Sequence, residues 1–226
     1  MMKKALLAMC FAVSAASAAT VLGFGAEADY YNPTVSGDFS YTENGSTTHT
    51  QFSDDTQSSY QLGVYFEHPV PVLPNIRIDF TPETTFSGAD NIIGANKVSF
   101  KQLDGTLYYE LLDNVVDIDL GVTFKALEGK VEGTTNQDFN VVIPMLYLGT
   151  GVKVPAFPIH VAGDVKYVAY DGDSVIDARI KAIWDIVAGL QAQAGLRYES
   201  MKIDNQNDIH ADVTFKGPFV GIGYSF

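Results

Sequence analysis

Cysteine is nearly absent from this chain of 226 residues: the only one is Cys10. It sits in an apolar stretch at the extreme N-terminus, so a chain trimmed of that stretch has no disulfide and no thiol chemistry. Leu7-Ala8-Met9-Cys10 is only loosely like a lipoprotein box, because Met9 is bulky for the residue before a lipidated cysteine. Long apolar runs are also missing. None approaches the roughly twenty residues of a spanning helix, so any membrane crossing must use strands. Basic residues are scarce, 14 Lys and Arg against 27 Asp and Glu, giving a formal charge of −13. That balance excludes nucleic acid as a partner. Phosphate loops, cysteine-rich zinc motifs and calcium loops are absent as well, and no cofactor is expected.

What is present begins with an export signal. Lys3 and Lys4 precede an apolar core over residues 5–13, and Ala16-Ser17-Ala18 offers a small-x-small cleavage site. Cleavage after Ala18 divides the chain into a signal peptide, 1–18, and a single β domain, 19–226. Losing the two lysines moves the formal charge from −13 to −15.

The remainder alternates with period two. The first strand, 20–31, sets Leu22, Phe24, Ala26, Ala28 and Tyr30 against Gly23, Gly25, Glu27, Asp29 and Tyr31. Strands follow at 59–68, 75–83, 97–112, 115–127, 138–152, around 159–167, 176–184, 190–198 and 209–226. The fourth changes parity, with Val98 and Phe100 on one face and Leu103, Leu107, Tyr109 and Leu111 on the other. That change predicts a β-bulge near Lys101-Gln102. Pro144 predicts a bulge or break in the sixth strand, and a second parity change is expected at Gly217-Pro218.

Connections alternate in length. Short ones are expected at residues 69–74, 112–114, 155–158 and 185–188. Longer ones are expected at 32–58, 87–96, 128–137 and 199–208, with a short exception at 171–174. About ten strands, with eight as the alternative, then form an antiparallel up-and-down transmembrane β-barrel with both termini periplasmic. Closure removes the sheet edges, which a bilayer cannot satisfy. A polar face rich in charge would fill the lumen with Glu67, Arg77, Asp79, Glu110, Asp117, Asp119, Lys125, Asp164, Lys166, Asp177, Arg179, Lys181 and Arg197. Such a salt-bridged plug leaves no wide pore.

The last strand sets Val220, Ile222, Tyr224 and Phe226 on one face and small residues on the other. It resembles the closing strand of bacterial outer-membrane barrels, whose terminal aromatic is the assembly signal read by the barrel-insertion machinery. Two further segments, Glu67-His-Pro-Val-Pro-Val-Leu-Pro-Asn-Ile-Arg77 and Leu107-Tyr-Tyr-Glu-Leu-Leu-Asp-Asn114 followed by Asp119-Leu-Gly121, look like a family of small Gram-negative outer-membrane β-barrel proteins with no assigned activity. The resemblance implies location in the outer membrane, with lipid and lipopolysaccharide as surroundings. In the first segment His68, Pro69, Pro71, Pro74 and Asn75 would build a rigid periplasmic turn. In the second, Asp113 and Asn114 would build a tight one.

Enzymatic readings are weaker. Asp208-x-His210 is similar to the Asp-x-His element of omptin proteases, with Asp54-Asp55 or Asp171 and Asp173 as opposing acids. The chain, however, is much shorter than an omptin. His49 lies near Asp54 and Asp55 in the longest loop and could serve metal ligation or, like His210, a serine hydrolase. No spacing singles out a nucleophile. The expected function is a non-enzymatic barrel acting in envelope structure or surface interaction through its outer loops. A narrow solute channel is the alternative, and an outer-membrane protease or lipid-modifying enzyme ranks below it. No small-molecule ligand is indicated.

Overall fold

Alternating side chains and β-branched or aromatic residues dictate strands throughout, and the structure, a computed structural model, contains nothing else of regular kind among its described residues. It describes residues 22–43, 46–88, 95–133, 137–153, 155–206 and 209–226. The expected signal peptide, with Ala16 and Ala18, lies outside them, as does Asp208. The strands are β1 (Gly23–Tyr31), β2 (Thr34–Glu43), β3 (Ser46–Thr56), β4 (Ser59–Glu67), β5 (Asn75–Ser87), β6 (Ala95–Asp113), β7 (Val116–Gly133), β8 (Gln137–Lys153), β9 (Ile159–Tyr170), β10 (Asp173–Val187), β11 (Leu190–Gln206) and β12 (Ile209–Ser225).

These twelve segments make ten staves. β12 pairs first with β2, from Ile209↔Tyr41 to Lys216↔Thr34, and then with β1, from Phe219↔Tyr31 to Ser225↔Gly25. β1 and β2 are thus one stave, interrupted at Asn32-Pro33 because proline has no N–H to give the ladder. Asn32 N still donates to Pro218 O at 3.1 Å. β3 and β4 form the next stave, broken at Gln57-Ser58, where Gln57 N donates to Pro33 O at 3.0 Å. The polar segment 32–58, expected as a loop, is therefore mostly the β2–β3 hairpin that raises the wall. Antiparallel pairing runs around the circle and closes between β1 and β12, as the sequence reading of about ten strands anticipated.

The parity expectations need correction. β6 pairs with β7 without interruption from Lys97↔Glu132 to Glu110↔Asp119, so no bulge lies at Lys101-Gln102. The extra residue is on the neighbouring strand: Thr81 pairs with Gln102 and Thr84 with Phe100, leaving a surplus residue at Pro82-Glu83 of β5. β12 likewise keeps one parity through Gly217-Pro218, pairing continuously with β11 from Ile203↔Ala211 to Leu190↔Tyr224. What changes along each strand is chemistry. In β6, Val98 and Phe100 point inward with Gln102, Asp104, Thr106 and Tyr108. In β12, Ala211, Val213, Phe215 and Phe219 point inward, while Val220, Ile222 and Tyr224 of opposite parity are exposed.

The physical reason is that each stave crosses two solvents. Near the termini the outer face is apolar, with Phe24, Leu62, Ile78, Leu107, Leu120, Leu148, Val161, Ile180, Leu196 and Ile222 all exposed. The inner face there is polar. Farther up the outer face is polar, with Glu83, Lys101, Glu128 and Lys130 exposed, and the inner face is apolar. The lower tier therefore suits lipid outside, and the upper tier is built like a water-soluble barrel. Glu83 and Lys130 meet across the upper outer surface at 3.1 Å. The hydrogen bond that Lys130 donates to Glu83 holds its ammonium above the ordinary pKa.

Pro144 acts on one side only. β8 stays paired to β7 through Phe124↔Pro144, but its pairing with β9 stops at Leu146↔Tyr167. Proline has no N–H to offer a ladder on either side.

Phe226 completes the closure. Its N donates to Phe24 O, and Phe24 N donates to Phe226 O, both at 3.0 Å. Its ring is 74 % exposed and lies beside Phe24 and Tyr224, with centroids 6.3 and 6.5 Å away. Deleting Phe226 removes two closing hydrogen bonds and the last aromatic of the belt. Pulse–chase of heat-modifiable gel migration is expected to show slower appearance of the folded band and turnover of the precursor pool. An unchanged assembly rate would reject a role for this residue as an assembly signal.

Candidate functional site

The interior holds the chain's concentrated chemistry, in two tiers. The alternation that turns one face of each strand to lipid turns the other into a space some ten staves wide, and long charged side chains from opposite walls meet there. Lys125 of β7 is fully buried. Its Nζ lies 3.2 Å from Asp104 Oδ2, 2.9 Å from Asp177 Oδ2 and 3.0 Å from Glu199 Oε1. Arg197 forks onto Asp177, Nε to Oδ1 at 2.9 Å and Nη2 to Oδ2 at 2.7 Å, and Nη2 also donates to Gln102 Oε1 at 2.9 Å. This bidentate geometry is the strong form of the guanidinium–carboxylate bond.

Lower in the barrel, Lys166 binds Asp104 at 2.6 Å and Asp79 at 3.2 Å. Arg179 engages Asp164 at 2.8 Å, and Arg77 joins Asp79 and Glu27 at 2.8 and 3.0 Å. Lys181 reaches Glu27 and donates to Gln193 Oε1 at 3.0 Å. Gln193 in turn donates to Asp29 at 2.6 Å. Desolvating so many charges is tolerable because they find opposite charge or, as Asp29 does with Gln193, a hydrogen-bond donor. A water-sized cavity sits among Gln61, Asp79, Gln102, Lys166, Arg179 and Arg197. Gln61 has neither amide atom hydrogen-bonded to protein, which a water there would satisfy.

Above this charged layer lies an apolar one. Val35, Phe39, Phe52, Phe86, Val98, Phe100, Leu127, Met145, Val175, Met201, Val213 and Phe215 form a continuous core across the lumen. Phe100 is its hub, with ring centroids at 5.3 Å from Phe215 and 6.3 Å from both Phe39 and Phe139. Phe39 stacks on Phe139 at 5.2 Å. Gly129 makes room for this stack, since a Cβ there would stand 2.0 Å from the Phe139 ring.

The thirteen lumen residues expected from sequence all sit on inward-facing positions of their strands. Sequence reasoning left out Asp104, although it shares the inward parity of Glu110 on the same strand. It missed Glu199 by assigning it to a loop. Glu27 and Asp29 were legible, being on the polar face of the first strand. The apolar tier was hidden because its residues share parity with the charged ones.

The short turns are knitted as their composition suggests. His68 N donates to Asn75 Oδ1 at 3.0 Å, Val70 N to His68 Nδ1 at 3.2 Å, and Leu73 N to Val70 O at 3.2 Å. Pro69, Pro71 and Pro74 stiffen the same turn, and Pro74 O lies 3.2 Å from His68 Nε2. Asp113 and Asn114 turn the chain between β6 and β7, with Asp113 opposite Asp117.

Of the candidate catalytic residues that are described, His210 stands on β12 and His49, Asp54 and Asp55 stand on β3. His210 points to the outer face, its Nε2 3.7 Å from Asp38 Oδ2 of β2, with both side chains largely exposed. Asp55 is occupied by Gln57 Nε2 at 3.1 Å and by Ser87 N at 2.7 Å. Asp54 sits in a left-handed conformation, φ 53°, where β3 carries an extra residue opposite Val35-Gly37. His49 pairs with Ser40 on β2. Among the described residues no group of three His, Cys, Asp or Glu side chains is disposed to hold a metal.

No family model matches the chain, and no curated protein matches it. Solved structures do. The outer membrane protease OmpT from Escherichia coli superposes with a TM-score of 0.59 at 9 % identity, over 90 % of this chain and 97 % of OmpT. Neisserial surface protein A gives 0.43 at 12 % identity, over 90 % and 97 % of the two chains. Ail, the attachment invasion locus protein of Yersinia pestis, gives 0.37 at 14 % identity, over 90 % and 99 %. The closed ten-stave wall, its apolar belt and the likeness to OmpT define the fold: a closed antiparallel β-barrel of the kind seen in outer-membrane proteins.

Proposed function

We propose that the protein is a non-conducting, non-enzymatic outer-membrane barrel that serves envelope structure or surface interaction through the hairpins at its far end. The two-tier filling of the lumen carries this reading. A balanced ion-pair layer and an aromatic layer are stacked in series, so a solute would have to disrupt both to pass. The short turns, the start of β1 and Phe226 share one end, which suits the periplasmic side. The long β2–β3, β5–β6, β7–β8 and β11–β12 hairpins at the other end suit the cell exterior.

The fold likeness to OmpT concerns the wall alone at 9 % identity. Coverage of nearly all of OmpT removes length as an argument against proteolysis. The argument rests instead on His210, which lies outside the barrel wall beside Asp38, whereas the space inside is taken up by phenylalanine rings.

Planar-bilayer recording of the refolded protein is the test. Only brief, irregular events are expected at any applied voltage. Steady ohmic steps with cation preference would replace this reading with a narrow channel.

A further inference from the structure

The ion-pair layer is balanced in its middle and unbalanced at one end. Arg77, Lys125, Lys166, Arg179, Lys181 and Arg197 pair with Glu27, Asp79, Asp104, Asp164, Asp177 and Glu199, and Asp29 beside them is held by the amide of Gln193. Toward the turn end, Glu67, Glu110, Asp113, Asp117 and Asp119 gather against one cation among the described residues. That cation is Lys153, whose Nζ stands 3.1 Å from Asp117 Oδ2. Glu110 and Asp119 face each other across the β6–β7 ladder, as do Asp113 and Asp117. All four other acids bear electrostatically on Glu110.

Glu110 is the second and independent sign. It is only 8 % exposed, it shares a hydrogen bond with the Glu67 carboxyl, and its oxygen Oε2 is buried with no hydrogen-bond partner. A buried carboxylate oxygen left without a donor is costly, and more so beside like charge. Two tyrosines line the same place. Tyr108 donates its hydroxyl to Glu67 Oε1 at 2.8 Å, and the Tyr108 and Tyr147 ring centroids are 5.8 Å apart. Gly149 and Gly151 flank the acids from β8, where a Cβ would come within 2.9 Å of Asp119 Oδ2 and Asp117 Oδ2 respectively.

We propose that this mouth is a binding site for a small alkyl polyamine, whose ammonium groups bind the Glu67–Glu110–Asp119 carboxylates and whose stem lies along the Tyr108–Tyr147 rings. Five carboxylates against one lysine call for a ligand of more than one positive charge. The acids are spread along the mouth without converging three to a point, which disfavours a metal ion. Aromatic faces beside carboxylates are the usual surroundings of an alkylammonium group. The inference goes beyond the non-conducting reading and stands or falls separately from it.

The test is calorimetric titration of spermidine into the folded protein in detergent at neutral pH. Saturable binding is expected, weakened at least tenfold by Glu110→Gln and by Asp119→Asn and unchanged by Glu128→Gln, an acid on the outer surface. Heat-modifiable migration verifies that each variant is folded. A second readout is thermal: spermidine should raise the unfolding midpoint of the parent, whereas Glu110→Gln should raise the ligand-free midpoint and abolish the response. Absence of saturable binding overturns the proposal. Equal weakening by Glu128→Gln overturns it in favour of general charge attraction. Magnesium binding with the same dependence on Glu110 overturns it in favour of a metal site.

Discussion

Lys125→Met is expected to destabilise the barrel by about 3–5 kcal/mol, because it leaves Asp104, Asp177 and Glu199 buried with their shared cation removed. Methionine fills a similar volume, so the loss would be electrostatic and not a cavity effect. Arg197 and Lys166 still serve these acids, yet each already has other partners. Equilibrium urea unfolding in lipid vesicles, followed by Trp184 on the lipid-facing wall, measures the change. Adding Glu199→Gln to Lys125→Met should restore part of it by removing one uncompensated charge. A loss below about 1 kcal/mol would mean the network is hydrated and behaves like surface pairs.

Phe100→Ala should cost a similar amount, about 3–5 kcal/mol, by emptying the centre of the upper tier. Phe100 is 4 % exposed and touches the rings of Phe39, Phe52, Phe86, Phe139 and Phe215. The location of the damage is the sharper prediction. Hydrogen exchange should rise in β2, β3 and the upper ends of β5, β6 and β12, while the lipid-clad lower staves keep their protection. Phe100→Leu should retain most of the stability. Uniform loss of protection along β6 would show that the two tiers unfold as one unit and that the upper core is not a separate layer.

These two substitutions lie four residues apart along the ladder of neighbouring staves, and their contrast explains what could be read in advance. Residues 115–127 show Asp117, Asp119, Thr123 and Lys125 on one face, and the structure turns that face inward. The same rule failed between Phe100 and Leu103. A parity argument assumes one solvent per face, and here the outer face passes from lipid to water partway along the strand. Apolar side chains consequently switch faces while the backbone continues unbroken. The tenth strand misled in the same way at Gly217-Pro218. Charged positions were legible because only a lumen can shelter Arg77, Lys125 or Arg197 within a bilayer. Their partners were not legible: Lys125 meets Asp177 and Glu199 from the opposite wall, and nothing local encodes that approach.

The sequence by itself determined the strands, the short turns at His68-to-Asn75 and Asp113-Asn114, the closing role of the segment ending at Phe226, and a lumen lined with charge. Period-two chemistry and turn residues are local properties, and a bilayer admits few ways to satisfy them. Only the tertiary structure decided that segment 32–58 raises the wall, that the plug has an aromatic tier above an ionic one, and that acids collect unbalanced around Glu110. Those outcomes depend on which staves face each other across the closed barrel, and side chains that meet across a lumen are far apart in the chain.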